Sequence, residues 1–163
     1  FYRDRFSGHV KRSLSRDGGE TWSAPQATEL PNNNSSIQAI RLADGRVAVV
    51  LNPVNAEMSD QRRGSLYDEI EEDAVSGTGG AIWGVPRAPM ALALSRDNGA
   101  SFDEIHTLDT GSGACLSNNS EDGKNKELSY PSILQDPSGD LHIAYTYHRR
   151  AIKYLRLRLN SVA

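Results

Sequence analysis

The 163-residue chain holds a single cysteine, Cys115. An internal disulfide framework and a multi-cysteine metal site are thereby excluded. The four histidines, His9, His106, His142 and His148, are scattered without ligand spacing, so no metal and no cofactor is expected. No apolar run approaches the length that crosses a membrane as a helix, and no signal peptide is visible. A large excess of either charge is lacking too. A formal net charge of −3 argues against nucleic acid or an anionic membrane as partner. Hydrophobic residues make up only 37%, against 14 glycines and 7 prolines, a balance that suits short strands and many turns. The chain opens mid-strand at Phe1-Tyr2-Arg3 with neither Met nor cap, and the expectation is that it is the back part of a longer protein.

What the chain does have is repetition. Ser15-Arg16-Asp17-Gly18-Gly19-Glu20-Thr21-Trp22 returns as Ser95-Arg96-Asp97-Asn98-Gly99-Ala100-Ser101-Phe102, each after an alternating strand. The pattern S-x-D-x-G-x-x-[WF] has a mechanical reading. Asp17 or Asp97 turns back onto backbone N–H groups, a glycine takes positive φ, and Trp22 or Phe102 plugs the turn against the sheet. A second repeat interleaves with the first: residues 36–51 resemble 130–145, each a strand, a glycine turn (Asp44-Gly45; Ser138-Gly139) and a second strand. Together they define a four-stranded unit, which repeated along a chain is a propeller blade. Counting units gives part of a blade over about 1–30, a blade over 35–108, and three strands of a last blade over 128–159. That is about half of a six-bladed ring, so the remaining blades are expected as partners, from upstream chain or a second chain.

Strand order also sorts the connections. The short turns and Asp boxes fall at one end of the sheets, the long segments 53–86 and 109–127 at the other, where sites usually form. Within the inserted loop 53–86, Ser65-Leu66-Tyr67-Asp68 reads as a helix start, continuing to Val75 and ending at Gly77.

In this order and with these motifs, SRDGGETW, SRDNGASF, ELSYPSILQDPSGDLHIAYTYHRRAIKY and the segments between them resemble the C-terminal half of a sialidase-like propeller with Asp-box repeats, in the predicted-neuraminidase branch. The resemblance implies an all-β, six-bladed β-propeller of sialidase type, of which this chain covers roughly the last three blades. It implies an exo-glycosidase acting on sialic acid or a related sugar, extracellular or periplasmic, and inactive as an isolated piece. Tyr130 takes the place of the tyrosine nucleophile, and Arg3 and Arg87 those of two arginines that clamp the substrate carboxylate. The acid/base, the first arginine and the glutamate assisting the tyrosine fall upstream of Phe1.

The chemistry is coherent. A neutral phenol is not repelled by the carboxylate beside the anomeric carbon, and tyrosine nucleophiles are the known exception among retaining glycosidases. A phenol titrates near pH ~10, so it needs a nearby base and positive charge; Glu127 stands three residues away as a possible local base. Planar guanidinium forks grip a carboxylate bidentately. One departure is the run Asn32-Asn33-Asn34-Ser35-Ser36, whose Asn34 and Ser35, with Asn52, suit neutral sugar hydroxyls and open the alternative of a glycosidase or lyase on non-sialic sugars. A second alternative is a non-catalytic carbohydrate-binding or structural propeller. On the residues alone, Tyr130 reads as a tyrosine capping the core with its hydroxyl wet, and Arg149, Arg150 and Lys153 as a solvated basic turn with a possible rim contact to an acidic sugar.

Overall fold

The computed structural model describes residues 1–62, 80–115 and 125–159. The expected helix over 65–75 lies outside the described residues. Nine strands are present among them: β1 (His9–Arg12), β2 (Gln26–Pro31), β3 (Gln38–Arg41), β4 (Val47–Leu51), β5 (Met90–Ser95), β6 (Glu104–Asp109), β7 (Leu128–Gln135), β8 (Leu141–Tyr147) and β9 (Ala151–Leu157). They form three antiparallel sheets, β1-β2, β3-β4-β5-β6 and β7-β8-β9, each in chain order. The architecture is all-β, as expected. An antiparallel bridge from Tyr2 to Lys11 adds the opening residues to the edge of β1.

The central sheet explains the continuous apolar runs VAVVL and MALAL, because both of its faces are buried. Side chains alternate across a strand. Accordingly Ala48, Val50, Met90, Leu92 and Leu94 join Leu128, Ile133, Leu141, Ile143 and Tyr145 of the β7-β8-β9 sheet in one core. On the opposite face Val49, Leu51 and Ala93 pack with Val10, Leu30 and Phe102 beside β1-β2.

Polar groups hold both ends of this stack in line. At the lower end Gln135 accepts the N–H of Ala43 at 2.8 Å, and the Arg12 guanidinium donates to the carbonyl of Asn98 at 3.0 Å. At the upper end, where β3, β5 and β7 begin, the Asn52 amide donates to the carbonyls of Pro89 (2.8 Å) and Leu128 (3.0 Å).

The two Asp boxes are built alike. In the second, Asp97 accepts the N–H groups of Ala100 and Ser101, both at 2.9 Å, and the hydroxyls of Ser95 (2.8 Å) and Ser101 (2.7 Å). Asp17 accepts from Thr21 N (3.0 Å) and the hydroxyls of Ser15 and Thr21. The glycines after them, Gly19 and Gly99, sit at φ 99° and 80°, where an L side chain is strained. The aromatic plug divides. Phe102 is 5% exposed and lies in the core, whereas Trp22 is 61% exposed, its indole N–H donating to the carbonyl of Gly19 at 3.0 Å. The expectation that Trp22 plugs its turn is therefore corrected: among the described residues the β1-β2 sheet has no layer on that side to receive the ring.

Two outcomes follow from this packing and capping. Leu92→Ala, which empties a site between two sheets, is expected to cost about 2–5 kcal/mol in urea denaturation, while Ile152→Ala at a 70% exposed position stays within about 0.5 kcal/mol. The carboxyls of Asp97 and Asp17 are held well below the usual range, Asp97 first by the backbone N–H of Ser101 and Asp17 first by the hydroxyl of Thr21. With folded values below the unfolded value, their contribution is complete above about pH 4 and is lost as pH falls below it. Asp97→Asn is thus expected to lower the denaturation midpoint at pH 7 and to narrow its difference from the parent between about pH 4 and pH 2, as read by circular dichroism.

Candidate functional site

Tyr130 is displayed by a defect in a strand. Between the pairs Ser129–Thr146 and Ser132–Ala144, two residues of β7 face one of β8. Pro131, which lacks a backbone N–H, occupies this bulge, and bulges re-aim a side chain. Tyr130 stands at φ 52° and is 60% exposed, while Ser129 and Pro131 on either side are buried.

Beneath the ring lies a buried charge cluster. Glu127 is 1% exposed. Its Oε1 accepts from Arg87 Nη1 at 2.8 Å and from the Ser129 hydroxyl at 3.0 Å, and its Oε2 accepts from Arg149 Nη2 at 2.6 Å. The backbone reinforces the arrangement: Arg87 and Glu127 form a parallel bridge, and Leu128 N donates to the carbonyl of Arg87 at 2.8 Å. The Arg87 guanidinium carbon then sits 5.7 Å from the centroid of the Tyr130 ring, within cation–π range. Glu127, expected as a possible base for the phenol, thus has both oxygens engaged and fixes two guanidinium groups in place.

Arg149 reaches Glu127 because of an uncommon turn. His148 and Arg149 have φ of 50° and 55°, and Arg150 N donates to the carbonyl of Tyr147 at 3.0 Å, the geometry of a type I′ turn without glycine or asparagine. Glu127 holds this turn from both sides. His148 N donates to the Glu127 carbonyl at 2.7 Å, and Glu127 N donates to His148 Nδ1 at 3.2 Å. An accepting Nδ1 leaves the ring proton on Nε2 and the imidazole neutral; burial pushes its pKa below the ordinary histidine value. Gly113 packs over the same ring, where an added Cβ would lie 3.3 Å from it.

A second carboxylate braces the neighbouring strands. Asp109 Oδ2 accepts from the Tyr145 hydroxyl at 2.8 Å and from Lys153 Nζ at 2.6 Å. Burial alone would raise the Asp109 carboxyl, but Lys153, the N–H of Gly111 and the Tyr145 hydroxyl bring it below its usual value. The basic turn read as solvated is therefore tied down on two sides.

The remaining candidates have other partners. Arg3 donates to the carbonyl of Asn34 at 3.4 Å and lies 5.9 Å from the centroid of the Trp83 ring. Asn34, Ser35 and Asn52, expected as contacts to sugar hydroxyls, are all buried. The Asn34 amide donates to the carbonyl of Ile82, and the Asn52 amide to those of Pro89 and Leu128. The two amides satisfy buried backbone carbonyls, which would otherwise be costly to bury, while the buried Ser35 hydroxyl meets no hydrogen-bond partner among the described residues. The two asparagine side chains tie separate segments together. The residue that sequence reasoning undervalued is Arg149, whose partner lies 22 positions away.

Breaking a buried charge pair strands its partner, at about 3–5 kcal/mol. Glu127→Ala is expected to lower stability by that order in urea denaturation, whereas Arg96→Ala, which breaks an exposed pair with Glu104, costs no more than about 1 kcal/mol.

With this geometry in place, comparison with known proteins is informative at one level. The family model of the BNR repeat-like domain matches residues 1–143, a span that contains both Asp boxes, Arg3, Arg87, Glu127 and Tyr130 but ends before Arg149. No curated protein and no solved structure matches the chain. The match covers most of the sequence and the repeats fold as capped antiparallel sheets, so the chain belongs to the BNR repeat-like domain family, within the sialidase/BNR superfamily.

Proposed function

We propose that the chain forms the last three blades of a six-bladed sialidase-type propeller, and that its upper end contributes half of an exo-glycosidase site for sialic acid or a related acidic sugar. The observation that carries this reading is Tyr130: a solvent-facing phenol turned outward by a bulge, directly against a guanidinium that a buried carboxylate immobilises. In this proposal the phenolate oxygen attacks the anomeric carbon, forming a glycosyl–tyrosine bond as the aglycone leaves, and water later releases the sugar. Arg87 pairs with the substrate carboxylate. Glu127 positions Arg87 and Arg149. The acid/base and the first arginine are assigned to the other blades.

A second reading, a carbohydrate-binding propeller without turnover, is favoured by the engagement of both Glu127 oxygens, which leaves the phenol to find its base elsewhere. One experiment separates the two. In the whole protein, Tyr130→Phe is expected to lower kcat on an aryl sialoside by roughly a hundredfold or more while leaving KM within a few-fold. A parent protein without turnover, or a variant with unchanged kcat, removes Tyr130 from the chemistry and leaves the binding reading.

A further inference from the structure

The long loops at the upper end carry more exposed aromatic surface than the Tyr130 site uses. Trp83 is 49% exposed and Phe6 47%. Each has a guanidinium against its ring, Arg3 at 5.9 Å from the Trp83 centroid and Arg5 at 4.9 Å from that of Phe6. With Arg87 beside Tyr130, three arginine–aromatic pairs stand at the same end of the sheets.

These pairs sit on a fixed support. Ile82 N donates to the carbonyl of Arg5 at 2.7 Å, and the Ile82 carbonyl accepts from the Ser7 hydroxyl at 3.0 Å and the Asn34 amide at 3.1 Å. Four positions further on, Asn33 donates to the carbonyl of Pro86 at 2.8 Å. The segment bearing Trp83 is thus pinned at both ends and leads into Arg87. Four residues of chain span at most about 14 Å, so Trp83 and Arg87 are close neighbours along this rim. The nearby carboxylate of Asp4 is buried and faces Lys11 at 3.4 Å, so it does not cancel the exposed guanidinium groups.

The ring face that the guanidinium leaves open can take the C–H face of a pyranose, and the guanidinium over the other face can take a carboxylate. An alternating row of the two matches a polymer of acidic sugars, in which faces and carboxylates recur. We propose that Arg3–Trp83, followed by Arg5–Phe6, forms a second subsite that holds the next residues of an anionic oligosaccharide whose terminal sugar lies at Tyr130. The proposal extends the glycosidase reading and takes from it that the ligand is an acidic glycan with its terminal sugar at Tyr130, but not that the sugar is cleaved there.

The chain has two tryptophans, and Trp22 lies at the opposite end of the sheets. In a Trp22→Phe background, fluorescence of the chain therefore reports Trp83 alone. Oligomers of α2,8-linked sialic acid are expected to quench this emission and to bind at least tenfold tighter than the monomer. Trp83→Ala and Arg3→Gln, both at exposed positions, should each abolish that advantage, measured by calorimetry, with the denaturation midpoint unchanged, and Trp83→Ala should leave the monomer affinity unchanged. Absence of quenching, an oligomer advantage that survives Trp83→Ala, or equal binding of neutral maltohexaose would overturn the subsite. So would protection of Trp83 from acrylamide that grows with protein concentration, which marks a contact between copies instead. Loss of hydrolysis in the parent with quenching intact sinks only the glycosidase reading.

Discussion

A sheet buried on both faces dictates most of what this chain does. β4 and β5 have no solvent side, so β3-β4-β5-β6 exists only with a neighbouring sheet against each face. Apolar burial supplies the driving force without direction. Direction comes from polar groups at the edges: Asp-box carboxylates and Gln135 below, asparagine amides above. The upper end is thereby left free to carry long loops, because the strands are already located by contacts that do not involve them.

At that upper end the energetics change character. Glu127 with Arg87 and Arg149 is a charged triad removed from water, and such clusters are poor sources of net stability. What the triad does provide is position. Two guanidinium groups arriving from separate loops are fixed to one carboxylate, and one of them is presented to an outward-turned phenol. A domain that needed only stability could fill this space with leucines. The cluster instead leaves a buried net positive charge beside an exposed phenol.

Much of this was legible in the sequence, and the failures have physical reasons. Asp17 and Asp97 were readable because the Asp-box device is local: each carboxylate serves groups within four residues. The hairpin turns at Gly45 and Gly139 were readable for the same reason. Pro131 inside a strand was the available signal that Tyr130 sits on a bulge. Arg149 was not readable, since nothing near it in the chain indicates that its partner is Glu127. The amides of Asn34 and Asn52 misled in the opposite way: a polar cluster before a strand suggests ligand contacts, but these groups were consumed by carbonyls that only the folded loops bring to them. Trp22 and Phe102 share a motif and differ in fate, because burial depends on the layer above and not on the turn itself.

The left-handed pair His148–Arg149 carries a kinetic consequence. Each such residue costs roughly 1–2 kcal/mol in an otherwise unconstrained chain, so the β8–β9 hairpin has little reason to close on its own. It is completed only when Glu127 arrives and grips both its backbone and its arginine. The rim beside Tyr130 is then among the late parts of the molecule to assemble and among the early ones to open, so exchange of its amide hydrogens tracks the integrity of a single carboxylate far more closely than that of the core below.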